Sequence, residues 1–135
     1  MRTAEELKRL GIDPDDCIVV GSGIMGALGI RQTDDLDLCV NQKTYDRFKA
    51  LGWQEKTWPQ GAPTIHSSTV DMGTDWGDGK NIYTFEELKK HMGRIDGVNY
   101  VDLGFLRSWK LNYGREKDLK DVEMIDIYLK EYPSS

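Results

Sequence analysis

Cys17-Ile18-Val19-Val20 runs into Gly21-Ser22, and after twelve further residues Asp35-Leu36-Asp37-Leu38 opens a second apolar stretch. A short apolar run stopped by a glycine reads as a buried strand. Gly21 and Ser22 turn it into a compact helix carrying Ile24, Met25, Ala27, Leu28 and Ile30. The second strand, read over about 35–40, begins with carboxylates spaced i, i+2. Side chains two apart on a strand share a face, roughly 6.5–7 Å apart along the chain. Such a pair can hold one divalent cation, or flank two ions about 3.5–4 Å apart as in two-metal phosphoryl transfer. Facing a Gly-Ser turn able to receive phosphate, the two acids make a phosphoryl-transfer site the first expectation.

The remaining composition narrows the setting. At 135 residues the chain reads as one domain, 1–135, long enough for a real core. Trp, Tyr, Ile and Leu are spread evenly, which argues against disorder. A net charge of −5 gives no general nucleic-acid footprint. Cys17 and Cys39 sit inside expected strands without CxxC spacing, so they read as small buried hydrophobes in a reducing, cytoplasmic setting. No apolar run approaches membrane-spanning length and no secretory leader is evident, so no membrane association is expected.

Along the chain, Thr3-Ala4-Glu5-Glu6 opens a short helix ending near Gly11, and Asp13-Pro14-Asp15-Asp16 is a turn. Asn41 caps a helix with Tyr45, Phe48 and Leu51 inward and Gly52 as its stop. A short edge strand is expected over 53–56 and a loop over 57–63; Thr64-Ile65-His66 is ambiguous. Residues 68–72 read as a strand carrying Asp71, and 73–79 as a Gly/Asp-rich loop around Trp76. Thr84-Phe85-Glu86-Glu87 is a second capping box, and 95–98 a small hairpin. Two helices follow from about 102 to 130, broken near Gly114; Val122, Ile125 and Leu129 give the second its apolar stripe.

Gly21-Ser22-Gly23-Ile24-Met25-Gly26 is also a literal G-x-G-x-x-G after a strand. A dinucleotide-binding Rossmann unit places its acid about 20 residues onward, at the carboxyl end of the second strand. Here the acids arrive fourteen residues after Gly21, at the strand's start. An NAD-binding Rossmann protein is therefore the lesser alternative.

Val20-Gly21-Ser22 through Arg31-Gln32-Thr33-Asp34-Asp35-Leu36-Asp37-Leu38 resembles the signature of the DNA polymerase beta-like nucleotidyltransferase superfamily: a hydrophobic residue, Gly, Gly or Ser, a spacer, then alternating acids and hydrophobes. The Arg-x-Thr-x-Asp portion is most similar to the small stand-alone members, including minimal, toxin–antitoxin and abortive-infection types. Trp109-Lys110-Leu111-Asn112-Tyr113-Gly114-Arg115-Glu116-Lys117-Asp118, followed by Asp121, is similar to their Lys…Gly-Arg-x-Lys-Asp segment. The resemblance implies an α/β (α+β) nucleotidyltransferase fold: a small mixed sheet with the acids on a central strand, helices packed on it, and a helical C-terminal segment.

It further implies Asp35 and Asp37 as ligands of Mg²⁺ (or Mn²⁺), with Gly21 and Ser22 receiving the NTP substrate. An NMP is then moved to a hydroxyl-bearing acceptor, with pyrophosphate leaving. Such chemistry asks the protein mainly for positioning and charge stabilisation, and two or three acids suffice for Mg²⁺. Members with complete sites supply a third carboxylate from a later strand. Asp71 is the choice, as general base or shared metal ligand, with Asp75 and Asp78 as fallbacks. Arg31 can anchor a phosphate or pair with Asp35; Lys110 and Lys117 can meet phosphates or merely solubilise their helices. Asp34 is expected on the face opposite Asp35, and Asp118 as an N-cap. Trp76 and Tyr83 can stack a base or pack structurally, and His66 and His91 form no metal pair. The acceptor (small molecule, tRNA or protein), the base preference and the oligomeric state are not encoded legibly. A catalytically degenerate member that binds nucleotide or a protein partner is the main alternative.

Overall fold

The computed structural model describes residues 3–58 and 62–133. Of the loop expected over 57–63, residues 59–61 thus lie outside the described residues. The chain opens with helix α1 (Thr3–Leu10) and a 3-10 turn (Pro14–Asp16) whose Asp13 side chain accepts from the Asp15 amide. Strand β1 (Cys17–Val20), helix α2 (Gly23–Ala27), strand β2 (Leu36–Val40) and helix α3 (Gln42–Ala50) follow. Asn41 caps α3 by accepting from the Thr44 amide, as its residue type predicts.

Next come β3 (Gln54–Lys56), β4 (Thr64–Ser67), β5 (Val70–Gly73), β6 (Asp75–Gly77) and β7 (Ile82–Thr84). The ambiguous segment at 64 is therefore a strand. The loop expected over 73–79 is in part β6, paired with β7 in a separate two-stranded ribbon. Thr84 forms its capping box with Glu87 at α4 (Phe85–Leu88). Strands β8 (Met92–Ile95) and β9 (Val98–Val101) form the expected hairpin. Asp96 and Gly97 both take positive φ there (50° and 78°), the demand of a type I′ turn. Helices α5 (Leu103–Tyr113) and α6 (Glu116–Glu131) close the chain, separated by left-handed Gly114 (φ 66°).

Seven strands form one mixed sheet in the order β3-β4-β5-β2-β1-β9-β8. β2 is antiparallel to β1 and parallel to β5. The antiparallel β1–β2 pair excludes the Rossmann alternative, whose first two strands are parallel neighbours linked by a crossover helix. The core reads along the central strands. Leu36, Leu38 and Val40 alternate onto one face beside Met72 and Val70, with Ile65 behind them, and all six are essentially inaccessible. The opposite face carries Ile18 and Cys39, and then, at the edge where β1 ends and β2 begins, Val20 opposite Asp37. Ile125 of α6 and Leu106 of α5 are likewise fully buried. No helix of the described residues is long and apolar enough to cross a membrane.

Candidate functional site

Two adjacent strands deliver the acids. In the parallel β2–β5 ladder Asp37 stands in register with Asp71, so the two carboxylates project from neighbouring strands about 4.8 Å apart onto one face. Asp35 precedes β2 rather than opening it, because the strand begins at Leu36. It is exposed, as is Asp34, and both border the same cleft. The expectation that Asp34 faces away assumed strand alternation; outside the strand that alternation does not apply.

The cleft encloses about 610 Å³ and brings together Gly21, Ser22, Arg31, Asp35, Asp37, Asp71, Lys110 and Lys117, all eight residues expected at a site. Asp37 bears the strongest electrostatic load. Burial, then the neighbouring charges of Asp71 and Asp35, push its carboxyl up to about 7, with Lys110 and Lys56 only partly offsetting them. One carboxylate oxygen of Asp71, Oδ1, is buried without a hydrogen-bond partner among the described residues. His66 of β4 stands opposite Asp71 on its other side and also leaves a buried nitrogen, Nδ1, unpartnered. A buried acceptor left unmatched is costly, so a donor or cation at this face recovers stability.

Gly21 sits against this acid. Its φ is +64°, and a Cβ there would stand 2.9 Å from Asp37 Oδ2. Both the left-handed backbone and the contact exclude a side chain. Gly21→Ala is expected to cost on the order of 1–3 kcal/mol in urea denaturation, since strain and carboxylate displacement add. Gly23 has a different reason: its Cβ would meet Val19 Cγ1 at 2.3 Å, so the turn lies flat on the preceding strand. The Ser22 side chain makes no capping bond to α2.

The opposite wall is basic, and its organisation is nonlocal. Arg31 does not pair with Asp35. Its guanidinium grips Asp121 of α6 in a fork, Nε to Oδ1 at 2.8 Å and Nη2 to Oδ2 at 2.9 Å. Lys110 Nζ reaches the same Asp121 Oδ2 at 2.7 Å and Asp118 Oδ1 at 3.7 Å, and its side chain is only 8% exposed. Asp118 is not the N-cap of α6; it is the third residue of the helix, and it accepts from the backbone and guanidinium of Arg115. Burial alone would raise Asp121, but hydrogen bonds from Arg31 and Lys110 outweigh it and hold the carboxyl below its usual range. Lys117 is exposed at the rim.

Asp118 and Asp121 anchor the basic wall, a role that no local motif assigns them. The signal was present: with Val122, Ile125 and Leu129 they fall at i, i+3, i+4, i+7 and i+11, on the buried stripe of α6. A carboxylate on such a stripe must be paired. The fallback acids have other work. Asp78 is buried and accepts from the Lys80 and Asn81 amides and from Asn112, and Asp75 stands on β6 away from the Asp37–Asp71 pair. Tyr83 packs on Phe105 and Trp109 outside the cleft, whereas Trp76 borders it and donates to the Leu38 carbonyl.

Among the described residues no three His, Cys, Asp or Glu side chains converge as a ready metal cage. The donors on offer are carboxylate oxygens, which suit a hard cation that completes its shell with water and phosphate oxygens. No family model, no curated protein and no solved structure matches the chain.

Proposed function

We propose that the protein is a metal-dependent nucleotidyltransferase of the DNA polymerase beta-like type, moving an NMP from an NTP to a hydroxyl-bearing acceptor. The observation that carries this reading is the side-by-side placement of Asp37 and Asp71 on paired parallel strands, with Asp35 next to them and the Gly21-Ser22 turn directly beside Asp37. A protein that only binds a partner has no need for two acids set side by side on paired strands at a cleft, so the same observation weighs against that alternative.

Asp37 and Asp71 would hold Mg²⁺ or Mn²⁺, with Asp35 bordering the same cleft; when bound the ion supplies charge neutralisation on the phosphates. The turn at Gly21 and Ser22 receives the far end of the triphosphate. Arg31 and Lys110 stand across the cleft as cations whose positions are fixed by Asp121, so they need little reorganisation as negative charge develops. Asp71, which borders the cleft, accepts the proton of the attacking hydroxyl. Incubation with each α-labelled NTP, Mg²⁺ or Mn²⁺ and a cell extract tests the reading. Label on one macromolecule or small molecule supports it, and intact nucleotide binding with no label anywhere overturns it in favour of the degenerate member.

The acid pair also sets a pH dependence. Below about 7 the Asp37 carboxyl is protonated, and a cation must displace that proton. Mn²⁺ affinity is expected to rise roughly tenfold per pH unit from pH 5.5 and to level off above about 7, by the linkage of one proton to one ion. Calorimetric titration across that range checks the slope; a flat profile means that Asp37 does not hold the ion.

A further inference from the structure

Helix α6 turns Asp118, Asp121, Val122 and Ile125 inward. Along one flank Asp126 accepts from Arg107 of α5, and along the other Lys117 and Met124 border the acid cleft. Between those flanks lies an outer face of Glu116, Leu119, Lys120, Glu123, Ile127 and Lys130, all exposed. Leu119 and Ile127 are 46% and 62% exposed, and Glu123 stands midway between them, so the three share one stripe. Among the described residues no hydrogen bond or ion pair engages the side chain of Glu123 or of Lys130, and Glu116 meets only Lys120, at 3.6 Å.

Two apolar side chains on a surface carry no meaning alone. The order of charges around them does, because it is self-complementary. Against a second α6 laid antiparallel about an axis at Glu123, Leu119 meets Ile127, Glu116 meets Lys130 and Lys120 meets Asp126, each pair formed twice. Asp126 is about half exposed, so it can accept from Lys120 while keeping Arg107. A slip of one turn either way loses all three pairs. One direction sets Lys120 on Lys130 and Glu123 on Ile127; the other sets Glu116 on Asp126 and Leu119 on Glu123. An in-register parallel pair would stack every charge on its own kind, which is repulsive.

We propose that the outer face of α6 is the interface of a symmetric dimer of this chain, paired antiparallel and centred on Glu123. The inference stands independently of the nucleotidyltransferase reading. Glu123 is the one mismatch, since on the axis it faces its own copy. A helix about 24 Å long and 10–12 Å wide presents less than the roughly 800 Å² per partner of a standard interface. The dimer is therefore weak and concentration-dependent.

Analytical ultracentrifugation of the full chain over a range of concentrations reads the association, and mild oxidation of single-cysteine variants reads the register. Cys17 and Cys39 are fully buried, so Glu123→Cys introduces the one accessible thiol of the chain. On the axis it is expected to form a disulfide-linked dimer by itself, whereas Leu119→Cys and Ile127→Cys crosslink when mixed and not alone. Ile127→Lys and Lys130→Glu are each expected to weaken association by roughly tenfold, and adding Glu116→Lys to Lys130→Glu to restore it. Glu123→Gln, which removes the repulsion on the axis, is expected to tighten the dimer severalfold. These positions are exposed, so every variant keeps the wild-type circular dichroism. A chain that stays monomeric throughout, a dimer indifferent to Ile127→Lys, or one that leaves the Glu123→Cys thiol free overturns the assignment.

Discussion

Asp37→Asn is expected to yield a protein more stable than the wild type above pH 7 and about a thousandfold less active in nucleotidyl transfer. Both effects have one origin. In the wild type the carboxyl is buried among Asp71 and Asp35, and its pKa stands at about 7 against an ordinary 3.8. For a carboxyl raised in the folded state, the unfolded chain ionises first, so stability is full below 3.8 and falls as the pH rises to about 7. The amide removes that loss, so the gain is absent near pH 4 and complete above pH 7, on the order of 4 kcal/mol. The same change removes the acid that stands beside both Asp71 and the Gly21 turn, so the site loses its central negative group. Thermal unfolding at pH 4 and pH 8, alongside transfer assays, separates the cases. An inactive variant with no stabilisation at pH 8 would mean that the acids are not crowded as the register implies.

Asp121→Asn should do the reverse, lowering stability by about 3 kcal/mol, because it leaves the buried Lys110 only its longer contact to Asp118, at 3.7 Å, and frees the Arg31 fork. Arg31 is one-third exposed and recovers water, so the main loss lies with Lys110. The Asp121 carboxyl is held below its usual range, so its contribution is present above pH 4 and is lost as the pH falls below the ordinary 3.8. Urea denaturation at pH 7 and pH 3 therefore shows a large difference between wild type and variant at pH 7 and a smaller one at pH 3. A second change, Lys110→Met in the Asp121→Asn background, is expected to restore part of the stability by removing a buried charge that has lost its shorter partner. If the double variant is no better than the single, Lys110 is not the group whose weakened pairing costs the stability.

What the amino-acid order disclosed was whatever depended on local pattern. Cys17–Val20, Leu36–Val40 and the two C-terminal helices announce themselves through apolar runs, a 3.6-residue stripe and a glycine between them. The turn at Asp96-Gly97 and the caps at Asn41 and Thr84 are likewise local chemistry. The β6–β7 ribbon escaped because strands of three residues, Asp75–Gly77 and Ile82–Thr84, carry no readable alternation amid glycine and aspartate. The partner of Arg31 escaped because Asp121 lies 90 residues away, and only the packing of α6 brings it near. Asp71 could be named from its strand, yet its neighbour on the sheet was set by pairing across more than 30 residues, which no spacing rule reports.

The two-residue bend at Ser68-Thr69 joins β4 to β5, with Ser68 at a φ of 55°. Because strand side chains alternate, one residue added there and passed down the ladder would rotate Asp71 into the layer of Leu36 and Leu38 and bring an apolar neighbour up in its place. A short reversal, whose Thr69 carbonyl accepts from the Leu36 amide between Asp35 and Asp37, thus acts as the gauge that decides which surface of the strand meets solvent.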